Sequence, residues 1–277
     1  MHNLALRGRA RHTVLTAIAV LILCVMLFPV YWMVNVALQR SGNVLNLSFF
    51  PLHPSFSSFS KAIDQQGRHL GISLVVALCS VAVSLAVATP AAHALALMGG
   101  RAKALRIALF AILLVQMVPS IAVANALYGA YNRVGLLNTL PGLILADATA
   151  GIPFGILLMR AFMVNIPPSI LAAARVDGAS SARVFFRIVV PVSINAIVTA
   201  GVFAFLFAWG DFLYALTLTT SDAVRPITLG IYQYVGAYGI DWGLVMATAV
   251  LACAPAIVLL VFAQRYISAG VTSGAVK

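Results

Sequence analysis

Six apolar runs constrain this chain more than anything else in it: roughly Thr13 to Leu38, Leu70 to Met98, Ile107 to Tyr128, Leu140 to Met163, Ile194 to Leu218 and Leu244 to Tyr266. Each clears the roughly 20 residues a helix needs to cross the hydrocarbon core of a bilayer. With 62% hydrophobic residues against 8% charged, a water-soluble domain of 277 residues is excluded. The sequence therefore predicts an all-α integral membrane protein with six spanning helices. A net charge of +11 would suggest nucleic acid in a soluble protein, but here the basic residues sit in short linkers between apolar runs, as topology signals do. Nucleic acid is not an expected partner; the lipid bilayer is.

Arg7, Arg9 and Arg11 precede the first run as in a signal peptide, yet that run is too long and no clean small-residue cleavage site follows, so it reads as a retained anchor. An even number of spans puts both termini on one side. Twelve Lys and Arg residues fall on that side and five, Arg40, Lys61, Arg68, Arg133 and Arg225, on the other. The positive-inside rule thus predicts cytoplasmic termini in a multi-pass plasma-membrane protein. The expected divisions are an N-terminal stretch (1–12), a first span (13–38), an outer loop (39–69), a five-helix core (70–266) with a polar inner loop (165–190) and an outer loop (219–242), and a cytoplasmic tail (267–277). Residues 39–69 are rich in Ser, Phe and Pro, which suits a turn with a short amphipathic helix.

The polar island between the fourth and fifth runs, I-P-P-S-I-L-A-A-A-R-V-D-G-A-S-S-A-R-V-F-F-R-I-V-V-P, carries the most information. Pro167 and Pro168 open a helix, Ser169 to Val176 continue it, and Gly178 supplies the left-handed residue that ends it. Ser180 caps a second helix that sets Arg183 and Arg187 four residues apart, until Pro191 breaks the pattern. This arrangement resembles the signature loop of the permease subunits of bacterial ATP-driven (ABC) importers. Ala173 and Ala174 match the two alanines of its Glu-Ala-Ala core, Asp177 to Ala179 its Asp-Gly-Ala, and Ile188 to Pro191 its ending; Ala172 stands where the family usually has glutamate. Gly135 to Thr139, Ile152-Pro153-Phe154, Ala208-Trp209 with Asp211 to Leu213, and the tail Gly270 to Lys277 are similar to the maltose-type branch, whose members import carbohydrates.

The resemblance implies the type I importer permease fold and a coupling helix that docks on a cytoplasmic ATPase. Its contacts would be Ala172, Ala173, Ala174, Arg175, Asp177, Gly178, Ala179 and Arg183. It implies as partners a second permease subunit, two ATP-binding cassette subunits and an extracellular or periplasmic solute-binding protein. ATP and Mg would be bound by those partner subunits, with no cofactor and no metal in this chain. On composition alone a secondary transporter or channel subunit is the rival reading, and a membrane-embedded enzyme a weaker one. No lysine follows a glycine, there is no glutamate, and no Gly-x-Ser-x-Gly is present, so a phosphate-binding loop, a zincin and a nucleophile elbow are all absent. Cys24, Cys79 and Cys253 lie in apolar runs without paired spacing, and His93 has no second histidine on its face, so packing suits all four better than ligation.

Ionisable groups inside spans are expensive and face a cavity or a partner. Asp147 lies seven residues after Leu140 and Asp211 seven before Leu218, so continuous helices would set both about 10 Å below the outer surface. Together with Trp209 and Tyr214 they are candidates for a sugar pathway; bonding to backbone or to a neighbouring helix is the other reading. In the outer loop, Tyr232, Gln233, Tyr234 and Tyr238 between glycines suit either contact with the solute-binding protein or an interfacial aromatic belt.

Overall fold

The computed structural model describes residues 2–39, 48–100, 102–236 and 239–275. Four helices are long and apolar enough to cross a membrane unaided, within Val14–Leu38, Ser57–Gly99, Leu140–Met163 and Trp242–Tyr266, and two bent pairs bring the number of candidate spans to six. Helix α1 runs His2–Leu38 and α2 runs Ser57–Ala96, followed by a 3-10 turn at Leu97–Gly100. The short amphipathic helix expected within residues 39–69 is instead the start of α2, which begins at Ser57. Pro29 and Pro90 lie inside these helices without ending them, as transmembrane helices tolerate.

The third expected span is not one straight helix. Helix α3 (Ala102–Gln116) and α4 (Ser120–Val134) meet at 89°. Pro119 has no N–H to give and adopts φ −57, ψ 132, so the chain leaves the helix before it and restarts at Ser120. The fifth run is divided as well. The polar loop ends in a short helix, α7 (Ser181–Val184), a π-turn (Phe185–Val189) and a last turn, α8 (Val190–Val192), which meets α9 (Ile194–Trp209) at 77°. Pro191 falls inside α8 rather than stopping the helix. It cannot donate to the carbonyl four residues back, and the widened turn just before it accommodates that loss. Beyond Trp209, Gly210 to Phe212 break the run, and α10 (Leu213–Leu218) begins afresh.

The chain forms two compact units, one of residues 1–67 and 231–253, the other of 68–230 and 254–277. The second is organised around α5 (Leu140–Met163), whose Gly151 and Gly155 sit between α2 and α9. A Cβ on Gly151 would stand 2.6 Å from Ser84 Oγ and 3.0 Å from Ala204 Cβ; one on Gly155 would stand 3.2 Å from Ala88 Cβ. Facing them, α2 presents a buried seam of small residues, Ser73, Ala77, Ser80, Ser84, Ala88 and Ala92. Ser80 Oγ donates to the Ile144 carbonyl of α5 at 3.1 Å. Bilayer lipid is as apolar as leucine, so helices associate in it through such close approach and through hydrogen bonds.

In the first unit the end of α1 packs Ala37 against Ala62 of α2 and against Leu244 and Ala247 of α12 (Trp242–Ala275). Asn35 donates to the Ser48 carbonyl at 3.0 Å, and Phe28, Tyr31, Trp32, Phe49 and Phe50 form one network of ring contacts. Strand β1 (Val235–Gly236) pairs antiparallel with β2 (Gly239–Ile240) before α12. Helix α12 continues to Ala275, beyond the candidate span Trp242–Tyr266.

Gly151→Ala should lower the thermal midpoint of the purified protein, at a cost of about 1–3 kcal/mol from overpacking, and Gly155→Ala should cost less. Gly71→Ala, where an added Cβ meets nothing within 4 Å, is the neutral control. Equal midpoints for all three variants would remove the glycine seam as the packing constraint.

Candidate functional sites at the two ends of helix α5

At the C-terminal end of α5 the chain turns through Val164 to Pro167 into α6 (Pro168–Val176), with Pro168 in its first turn as its missing N–H allows. Gly178, at φ +76, ends it: its N–H donates to the Arg175 carbonyl and that of Ala179 to the Ala174 carbonyl, both at 3.0 Å. These are the two bonds of a Schellman motif. Ser180 accepts from the Arg183 amide at 3.3 Å and caps α7 as its sequence predicts. Leu171, Ala174 and Ala179 pack on the core formed by Met159, Met163, Ile166 and Val184. The opposite face is free: Ala172, Ala173, Arg175, Asp177 and Arg183 are exposed, and Val176 is 87% exposed. Of the expected coupling residues, Ala172, Ala173, Arg175, Asp177, Gly178 and Arg183 are thus exposed, whereas Ala174 and Ala179 pack on the core. His93 packs its ring 5.5 Å from that of Phe185.

At the other end, α5 is capped by Thr139, whose Oγ1 accepts from the Gly142 amide at 3.1 Å. The closeness of this turn requires glycine at 142, because a Cβ there would lie 2.2 Å from the Leu136 carbonyl oxygen. Two turns further on, Asp147 is 4% exposed and its Oδ1 has no hydrogen-bond partner among the described residues. Tyr131 and Tyr214 are buried in the neighbouring core of α2, α4, α5 and α10, and the Tyr214 hydroxyl lies 3.3 Å from that of Thr149. Asp211 has a different role. Its two oxygens accept from the amides of Tyr214 (3.3 Å) and Ala215 (3.0 Å), so it secures the start of α10 at the break after Trp209. Trp209 is buried and stacked on Phe205 at 5.3 Å and 11°. The four residues proposed for a pathway are therefore not equivalent: Asp147 is an orphaned buried carboxyl, Asp211 a backbone acceptor, and Trp209 and Tyr214 packed rings.

In the loop 219–242, Tyr232 and Gln233 are exposed, Tyr234 packs in the core of the first unit with no hydrogen-bond partner for its hydroxyl among the described residues, and Tyr238 lies outside the described residues. Arg225 donates to the Asp222 carboxylate and His69 Nε2 stands 3.3 Å from it. The Arg225 hydrogen bond, with the His69 charge as a smaller contribution, holds the Asp222 carboxyl below the usual carboxylate range. Depressed in the folded state, this group contributes stability above its ordinary pKa and loses it as pH falls through the lowered one. Sequence reasoning missed Asn138 and His69 as structural actors. A hydrogen-bonding residue just before a helix cap was the available signal for Asn138; nothing in the pattern marked His69. Among the described residues no group of three or more His, Cys, Asp or Glu side chains could hold a metal ion.

Buried small-residue packing inside, an apolar exterior and up to six candidate spans define a multi-pass membrane protein. Residues 88–273 match the family described as binding-protein-dependent transport system inner membrane component, and the chain belongs to it. It is similar to the trehalose transport system permease protein of Mycobacterium tuberculosis, 32% identical with 98% of this chain and 99% of that one covered. It is also similar to the sulfoquinovosyl glycerol transport system permease protein of Agrobacterium fabrum, 31% identical over 91% of this chain and 89% of that one. Among solved structures, a bacterial ABC transporter involved in import of the acidic polysaccharide alginate superposes with a TM-score of 0.78 at 19% identity, covering 93% of this chain and 96% of that one. The fold is that of an ABC importer permease, and the chain is an inner-membrane transport component rather than an enzyme.

Asp211→Ala should destabilise α10 by about 1 kcal/mol, the usual loss for a helix-start acceptor, while Asp211→Asn, which retains an acceptor, should cost less. Asp147→Asn should leave folding intact. Thermal midpoints in detergent check both, and equal midpoints for the two Asp211 variants would remove its backbone role.

Proposed function

We propose that this permease forms half of the transmembrane channel of a carbohydrate importer, moving a di- or oligosaccharide or a related glycoside by alternating access. A second permease subunit completes the channel, two ATP-binding cassette subunits hold and hydrolyse ATP with Mg beneath it, and a solute-binding protein delivers substrate from outside. Both termini and α6 lie in the cytoplasm, in keeping with the distribution of twelve against five basic residues. The sugar class rests on relatives named for trehalose and for sulfoquinovosyl glycerol transport.

The observation that carries the reading is α6: nine residues, proline at its start, a left-handed glycine just past its end, one face on the core and the other exposed. A helix with an independent stability function has no reason to present Ala172, Ala173 and Val176 to water, whereas a docking helix does. ATP-driven closure of the ATPase pair pushes on this face, and α5, continuous with it through four residues, carries the displacement into the membrane. Asp147, buried about two turns into α5 with its Oδ1 unpartnered among the described residues, is the candidate sugar contact in this subunit, since a carboxylate accepts from sugar hydroxyls. Tyr232 and Gln233 are candidate contacts for the solute-binding protein.

Gly178→Val places a β-branched residue at φ +76, a conformation that costs an ordinary L-residue about 1–2 kcal/mol and a branched one more. In the reconstituted importer this variant should hydrolyse ATP without moving sugar, or lose its ATPase subunits; native uptake and subunit stoichiometry would sink the coupling role of α6. Deleting Gln233 to Gly236 should reduce stimulation of ATPase by the loaded solute-binding protein and spare the basal rate. Unchanged stimulation would assign those rings to the interfacial belt.

A further inference from the structure

Residues 48–52 lie alongside the last turns of α1 rather than beyond its end. The Phe49 ring stands 6.3 Å from that of Phe28, 6.1 Å from Tyr31 and 5.9 Å from Trp32, and Phe50 meets Tyr31 edge-on at 6.4 Å. Phe28 and Trp32 precede Leu38, the last residue of α1, by ten and six residues, which sets the Phe49 ring about 9–15 Å back from the end of the helix. The candidate span Val14–Leu38 has 25 residues. That is about 38 Å of helix against about 30 Å of hydrocarbon, so a centred span extends only about 4 Å past the hydrocarbon at each end. Phe49 is thus held below the level of the headgroups.

Irregular backbone at that depth is tolerated only where its polar groups find partners within the protein. Here side chains supply them. The Ser48 carbonyl accepts from Asn35 Nδ2 at 3.0 Å and from Gln39 Nε2 at 2.8 Å, and the Ser48 amide donates to Gln39 Oε1 at 3.2 Å. The Tyr31 hydroxyl donates to the Phe49 carbonyl, and the Ser48 hydroxyl to the Phe50 carbonyl. Three successive carbonyls are occupied in this way, and Pro51, which follows them, has no N–H to satisfy. The chain then returns to the end of the helix, where the Ser55 amide donates to the Leu38 carbonyl at 2.8 Å.

The side chains follow the opposite rule. Phe49, Phe50, Leu52 and Phe56 are each more than half exposed, and no Asp, Glu, Lys or Arg occurs anywhere from 41 to 60. A loop built for water gives its backbone to the solvent and turns its rings inward; this one occupies its carbonyls and presents its rings. The apolar surface they make is continuous with that of the span itself, where Val25, Met26 and Phe28 are exposed beside them.

We propose that residues 48–52 are a re-entrant wedge that holds Phe49, Phe50 and Leu52 among the lipid chains of the leaflet at the C-terminal end of α1, fastened there by Tyr31, Asn35 and Gln39. Lipid is the occupant of this face. That leaflet is the outer one on the topology proposed above, a reading on which the choice of leaflet rests and the wedge itself does not. None of the span window of α1 is buried within the chain, so the wedge gives this helix a second foothold against sliding across the bilayer.

The test places a nitroxide on single cysteines in the complete importer in lipid nanodiscs, with Cys24, Cys79, Cys253 and the cysteines of the other subunits replaced. Its collisions with oxygen, which concentrates in lipid, are compared with those of a neutral nickel chelate, which stays in water. At Phe50→Cys and at Leu52→Cys the oxygen-to-nickel ratio should exceed that at Lys61→Cys, an exposed position on α2, at least threefold. Asn35→Leu combined with Gln39→Leu, which strips the Ser48 carbonyl and amide of these bonds, should lift the segment and bring the ratio at Leu52→Cys to within twofold of the Lys61→Cys value. Ratios at both labelled sites equal to that at Lys61→Cys would put the segment in water and overturn the proposal. Rare collisions with both reagents would put it against the second permease subunit and overturn it equally. A ratio unmoved by the double variant overturns the fastening; if that variant fails to assemble, Tyr31→Phe, which bares the Phe49 carbonyl, is held to the same criterion. Modification of Lys61→Cys by a membrane-impermeant thiol reagent from the cytoplasmic side alone would instead overturn the topology and leave the wedge standing in the other leaflet.

Discussion

Close approach of three backbones at Gly151 and Gly155 is the constraint on which the second unit depends. In water a helix bundle is driven together by removing apolar surface from solvent. In lipid that drive between helices disappears, and what remains is contact at short range and hydrogen bonding. The small seam of α2, the two glycines of α5 and Ala200 and Ala204 of α9 supply the contact; Ser80 supplies the bond to the Ile144 carbonyl. Large apolar side chains are turned outward instead, which explains why so many leucines, valines and phenylalanines of this protein are exposed.

A central helix held this tightly gives the two polar ends of the unit a fixed relation. At one end, proline and a left-handed glycine bracket α6 so that its exposed strip is presented in one orientation. At the other, Thr139 and Asn138 fix the start of α5, and Asp211 fixes the start of α10. None of these devices needs a large buried area. Each satisfies backbone groups that would otherwise be stranded at a helix end, where an unpaired polar group in a low-dielectric setting is most costly.

The breaks within apolar runs follow from the same requirement. The run from Ile107 to Tyr128 reads as continuous by hydropathy, yet Pro119 ends one helix and starts another at nearly a right angle. The run from Ile194 to Leu218 is likewise cut at Gly210 to Phe212, where the Asp211 carboxylate accepts the amides that a continuous helix would have satisfied. A depth argument based on uniform helical rise needs an unbroken helix back to the span's end, which Asp147 has in α5 and Asp211, in the break after Trp209, does not. The signals were local, proline in one case and glycine beside aspartate in the other. Summed hydropathy over a long window conceals both.

By itself the sequence determined the class of protein, the approximate spans, and the construction of the polar loop, because these depend on apolar length and on residues with restricted backbones. Pro168, Gly178 and Ser180 act within a few residues of themselves, and each takes the place its chemistry dictates. Tertiary structure alone decided which helix stands at the centre, that Trp209 is packed on Phe205 while Asp147 Oδ1 has no hydrogen-bond partner among the described residues, and that Asn138 reaches Thr220 and Ser221 across the fold. Those outcomes depend on which side chains from distant segments share a site. No spacing along one chain encodes that, since the contacts exist only once glycine and alanine have let the helices close on one another.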